Sequence, residues 1–110
     1  MADSREVLHG TLDLLILSAL KPGALHGWGI AQLIRQRSRE AVLVATGALY
    51  PALHRLESRK LLTSHWETNE TNRRARFYAL TAAGRRALGE ELAWWNRFVA
   101  GVRGVVTVPT

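Results

Sequence analysis

The 110-residue sequence predicts a mainly α chain with one small β-hairpin, an α+β order of three helices, a hairpin and a long final helix. Three observations predict it. Apolar residues recur at helical spacing in four separate stretches. Two β-prone stretches, Leu61–Thr68 and Arg76–Leu80, flank the polar, turn-rich segment NETNRRA, which reads as a hairpin. Near the C-terminus Leu88, Leu92, Trp95, Val99, Val102 and Val106 are spaced 4, 3, 4, 3 and 4 residues apart, an a/d heptad seam.

The first helix is expected over Thr11–Leu20, TLDLLILSAL. Leu12, Leu15, Ile16 and Ala19 make one stripe, and Leu14 and Leu17 carry the apolar surface round the side. A helix apolar nearly all round needs cover on more than one side, which points to a second subunit. Lys21-Pro22-Gly23 ends it. The second helix is expected over Gly27–Ser38, with Ile30, Leu33 and Ile34 inward. After the short stretch Ala41–Ala45, Thr46 is the expected N-cap of a third helix. Thr81 caps the last, whose glycines at 84, 89, 101 and 104 predict fraying near its end. Residues 1–80 then form one unit and residues 81–110 a C-terminal helix, packed together as one compact body.

The third helix, TGALYPALHRLES, is oddly composed. Leu49, Leu53 and Leu56 face the core on a helical wheel. Gly47, Pro51, His54, Arg55 and Ser58 face away, with Tyr50 on the flank. Gly47 lets backbone approach closely, and Pro51 removes an amide donor. A kinked or late-starting helix is tolerable if its task is to present an end to a partner. The plainer alternative is a turn followed by a shorter helix starting near Tyr50.

Helix, helix, helix, hairpin, long helix is the order of a winged helix-turn-helix, whose second helix of the pair enters the DNA major groove. Charge agrees. The chain carries a net +6 and a pI of about 11.1, with Lys21 and Lys60 its only lysines. A basic balance predicts a polyanionic partner. Arg73, Arg74 and Arg76 lie at or beside the hairpin tip, with no acid between Asn72 and Tyr78, and match phosphate or minor-groove contact. A solvated charged loop is the alternative.

Other classes fit worse. There are no cysteines, which removes disulfides, thiolate catalysis and cysteine-bound zinc. His9, His26, His54 and His65 are scattered, no triad or phosphate-binding glycine loop occurs, and no enzyme, metal site or cofactor is expected. No leader or membrane-spanning run is read, so the expected location is the cytoplasm.

Four segments carry a family resemblance: GTLDLLIL (Gly10–Leu17), LHGWGIAQ (Leu25–Gln32), GALYPALHRLE (Gly47–Glu57) and NRRARFYALTAAGRRAL (Asn72–Leu88). They resemble the PadR family of bacterial transcriptional regulators, above all its short, acidobacterial-type members with a single C-terminal dimerisation helix. The resemblance implies a homodimeric winged-helix protein that binds operator DNA, usually a repressor, sometimes released by a small molecule. Carried over by position, Tyr50, His54 and Arg55 resemble recognition-helix residues and Arg73, Arg74 and Arg76 wing residues. Thr46, Gly47, Pro51 and Ser58 complete the expected DNA face. Many members have Gly where this chain has Lys60, so the exit turn is expected to differ and Lys60 to add a phosphate contact.

The seam has no evident partner in its own subunit, so Leu12, Leu15, Leu88, Leu92, Trp95, Val99, Val102 and Val106 are expected at a dimer interface. Trp94, Trp95 and Phe98 suggest a site for a small planar aromatic effector. The alternative places Trp95 simply in the seam and Trp94 on the first helix. Two other functions stay open: a winged-helix module for protein partners, and a non-specific DNA binder.

Overall fold

The computed structural model describes residues 4–107, with side chains from Thr11 onward. The outer ends of the two expected units, residues 1–3 and 108–110, and the side chain of His9 lie outside the described residues. The elements are α1 (Ser4–Ala19), β1 (Leu25–His26), α2 (Gly27–Arg37), α3 (Thr46–Ser58), β2 (Leu62–Thr68), β3 (Arg74–Leu80) and α4 (Ala82–Val106). The winged helix-turn-helix order is therefore present, with corrections. α1 begins seven residues before the expected Thr11. The sheet has three antiparallel strands in the order β1-β3-β2, not two. β1 is only Leu25 and His26, paired with Tyr78 and Phe77, and so short a strand shows no periodicity of its own.

The helices meet on one apolar core. Ile16, Leu17 and Leu20 from the α1 segment, Ile30 from α2, and Leu53 and Leu56 from α3 are almost fully buried. Leu62, Tyr78 and Leu88 add the sheet and α4. At about 25 cal/mol per Å² of apolar area, each large side chain so buried contributes roughly 1.5–3 kcal/mol.

Two expected caps fare differently. Thr81 does cap α4, its Oγ1 accepting the Gly84 N–H at 3.0 Å. Thr46 does not cap α3: it is the first helical residue, and the N-cap is Ala45, which offers no side-chain acceptor. Nor is α3 delayed to Tyr50. It runs through Pro51 because Leu49, Ala52, Leu53 and Leu56 pin its inner side. The glycines do not fray α4 either, which is helical to Val106.

At the exit of α3 the chain makes a tight knot. Lys60 adopts φ 62°, the left-handed region. The Leu61 N–H then bonds the Leu56 carbonyl at 3.0 Å and the Lys60 N–H bonds that of Glu57 at 2.9 Å, a Schellman ending. Thr81 returns alongside: its N–H donates to the Leu61 carbonyl at 3.1 Å and its hydroxyl to the Lys60 carbonyl at 2.7 Å. Gly84 packs over this knot so closely that a Cβ would stand 2.1 Å from the Leu61 oxygen. This glycine, expected only to weaken α4, is what allows the helix to sit there.

Gly84→Ala is expected to destabilise the fold by at least about 2 kcal/mol, because backbone must shift to admit the methyl. Urea unfolding at fixed chain concentration measures this.

Candidate nucleic-acid interface

α3 presents the residues that its odd composition singled out. Thr46, Gly47, Tyr50, Pro51, His54 and Ser58 are all exposed. A Cβ on Gly47 would meet nothing within 4 Å, so no contact within the described chain demands this glycine. The helix start has no side-chain cap and no acid in its first turn, which leaves it attractive to anions. Tyr50 has an internal contact as well: a Cβ on Gly27 would come within 2.6 Å of its hydroxyl, so the absent side chain at the start of α2 makes room for the phenol.

Arg55 is half-buried and has a partner inside the chain. Its Nη2 donates to Oδ1 of Asp13 on α1 at 2.5 Å, and the Asp13 side chain is 13% exposed. The guanidinium therefore ties α3 to α1, while 38% of the Arg55 side chain stays exposed. The isolated acid in TLDLLILSAL was the available signal, since a charge on an apolar helix needs a partner. Glu91 of α4 feels the same carboxylate. Burial first, and then the Asp13 charge, pushes its carboxyl up, while Arg59 pulls the other way.

The wing divides its arginines. β2 and β3 pair from Leu62↔Leu80 to Thr68↔Arg74. The tip is an Asx-type turn: Asn69 Oδ1 accepts the Thr71 and Arg73 N–H groups at 3.1 and 2.9 Å, and Asn72 takes φ 61°. Arg73 sits on this turn and Arg74 opens β3; both are exposed and have no acidic partner among the described residues. Arg76 lies farther down the ladder. Its Nε donates to Ser64 Oγ at 2.9 Å and its Nη2 lies 3.5 Å from Glu57 Oε2, which also accepts from Ser64. The acid missing between Asn72 and Tyr78 thus comes from α3.

Between α3, the start of α2 and the wing runs an open groove of about 820 Å³. Tyr50, His54 and Glu57 line one side, Trp66, Arg74 and Arg76 the other, and His26 and Trp28 its end. His26 is buried and caps α2, its Nδ1 accepting the Gly29 N–H at 3.0 Å. Its Nε2, which carries the proton in the neutral tautomer, lies 3.6 Å from Glu70. Trp28 and Trp66 were not singled out from sequence; without the groove they are only exposed aromatics.

Along α4, Leu88 is buried and Trp95 packs partly against the core. Beyond them the stripe is open: Leu92 is 36%, Phe98 41%, Val102 43% and Val106 73% exposed. Val99 is half-buried, as are Leu12 and Leu15 on α1. Trp94 is only partly covered. It is 45% exposed and stacks on Phe98, ring centroids 5.1 Å apart at 8°.

A recognition helix with an open polar face, a basic wing and a short third strand define a winged helix-turn-helix. The family model of the "Transcriptional regulator PadR-like family" matches residues 16–90. The chain is 39% identical over 87 residues to transcriptional regulator Rv3488 of Mycobacterium tuberculosis, covering 79% of this chain and 78% of that protein. Among solved structures it resembles a transcriptional regulator from Clostridium thermocellum, with TM-score 0.77, 27% identity, and 93% and 95% of the two chains covered. A PadR family transcriptional regulator from Eggerthella lenta aligns with TM-score 0.77 and 28% identity over 96% of this chain and 90% of that one. The chain belongs to the PadR-like family of transcriptional regulators, and its class is that of DNA-binding regulators. No described helix is long and apolar enough to cross a membrane.

Two outcomes follow from the paired groups. Asp13→Asn is expected to lose about 1–3 kcal/mol, the cost of stranding a hydrogen-bonded charge, and a double-mutant cycle with Arg55→Ala should return most of that loss as coupling. Lys60→Gly is expected to gain about 1 kcal/mol by removing a side chain from the left-handed region. Thermal unfolding reads both.

Proposed function

We propose that this chain is a homodimeric, sequence-specific DNA-binding repressor. The observation that carries the reading is the open outer face of α3 beside the arginine-bearing wing. Those residues serve no packing need that a standard helix would not meet better. They do suit a groove: Thr46, Gly47 and Pro51 bring backbone close, while Tyr50, His54 and Ser58 offer hydrogen bonds to base edges. Lys60, Arg73 and Arg74 take phosphates. Arg55, held by Asp13, fixes α3 against α1, and Arg76, held by Glu57, fixes the wing against α3.

The dimer forms through the open stripe of α4, Leu92, Trp95, Val99, Val102 and Val106 with Leu88 at its base, and Leu12 and Leu15 of α1 border it. An apolar seam of this length in water calls for a second copy. The stacked Trp94 and Phe98 then meet their counterparts across the two-fold axis, and with Trp95 they offer flat walls for a small planar aromatic effector that releases the DNA. The regulator works in the cytoplasm, where its operator is.

The test is a titration of wild type, His54→Ala and Arg74→Ala against DNA from upstream of the chain's own gene and a shuffled control, across a salt series. Wild type is expected to prefer its own region at least about a thousandfold. His54→Ala should relax that preference. Arg74→Ala should weaken both DNAs alike and lower the log–log salt slope by about one. Indistinguishable profiles for the two variants would remove the division between base reading and phosphate contact.

A further inference from the structure

The exposed large apolar residues of the described chain, apart from Leu43, fall into two groups. Leu92, Trp94, Phe98, Val102, Val105 and Val106 lie on α4, where a second copy accounts for them. Trp28, Tyr50 and Trp66 line the groove, where phosphate contact by arginine does not. Trp66 is the sharpest case. It is 55% exposed and belongs to no part of the buried core. It pairs across the ladder with Arg76, on the strand face that holds Ser64 and Tyr78 and looks toward α3. Two guanidinium carbons stand over its ring, those of Arg74 at 5.6 Å and Arg76 at 5.7 Å from the centroid. Such cation–π contacts hold an indole in place while leaving it in water.

An apolar ring beside the unpaired Arg74 is complementary to a DNA strand, in which an apolar deoxyribose lies next to a phosphate. We infer that Trp66 is a DNA-contacting residue of the wing. Its indole packs on a deoxyribose of the strand entering the groove, and Arg74 beside it takes an adjoining phosphate. This rests on the DNA-binding reading above and adds to it a non-ionic contact. Because Trp66 neutralises no phosphate, its contribution is independent of salt, unlike that of Arg74.

The experiment measures fluorescence anisotropy of a labelled duplex from upstream of the chain's own gene, for wild type, Trp66→Ala and Trp66→Phe, over a salt series. Hydroxyl-radical footprints are taken on the same duplex. Circular dichroism and melting temperature verify folding, and Trp66→Phe keeps a ring in place if the alanine variant folds poorly. Trp66→Ala is expected to weaken binding about tenfold at every salt concentration with the log–log slope unchanged, Trp66→Phe to lose less, and sugar protection to disappear at the wing position alone. Affinity within twofold of wild type for Trp66→Ala would overturn the inference. So would a slope reduced by about one, which would mean that Trp66 only positions Arg74. Failure of wild type itself to bind the duplex would remove the DNA-binding reading and this contact with it.

Discussion

Everything that orients the DNA face depends on the crowded backbone knot at Leu61. Its carbonyl receives the Thr81 N–H and lies under Gly84, while the neighbouring Lys60 carbonyl receives the Thr81 hydroxyl. Four element ends meet here: the exit of α3, the start of β2, the end of β3 and the start of α4. Each is held by backbone bonds, and Arg76 on Glu57 adds a side-chain tie between the wing and α3. The wing, α3 and α4 are therefore joined at one point. An interface that must match the spacing of DNA grooves needs this stiffness, since slack at the joint would spread the distance between two recognition helices.

A second constraint is the way the acids are distributed. The chain is strongly basic, yet two carboxylates near the proposed DNA face are spent on particular arginines. Asp13 holds Arg55 and Glu57 holds Arg76, so the free positive charge concentrates on Arg73, Arg74 and Lys60 at the periphery. In the proposed complex the face of α3 reads bases by shape and hydrogen bonding, while the edge supplies salt-dependent attraction.

Much of this was legible in the sequence where a pattern repeats. The period of Leu49, Leu53 and Leu56 placed the inner side of α3, and the heptad spacing placed the stripe of α4. Thr81 announced a helix start by its chemistry alone. What could not be read depends on groups far apart in the chain. Asp13 and Arg55 are 42 residues apart. β1 is two residues long and exists only because β3 offers it an edge. Gly84 looked like a weak point because its reason, the Leu61 oxygen, lies across the knot. Thr46 failed as a cap because propensity ranks residues, not positions, and Ala45 held the extended conformation one residue earlier.

The central claim is that two rigid copies present α3 to successive turns of one DNA face. The most direct measurement is a footprint of the wild-type protein on its own upstream DNA, with the number of bound chains counted by light scattering of the complex. The account predicts two protected half-sites related by a two-fold axis, with centres about 34–36 Å apart along the helix, occupied by two chains. One half-site held by a single chain, or half-sites at variable separation, would contradict it.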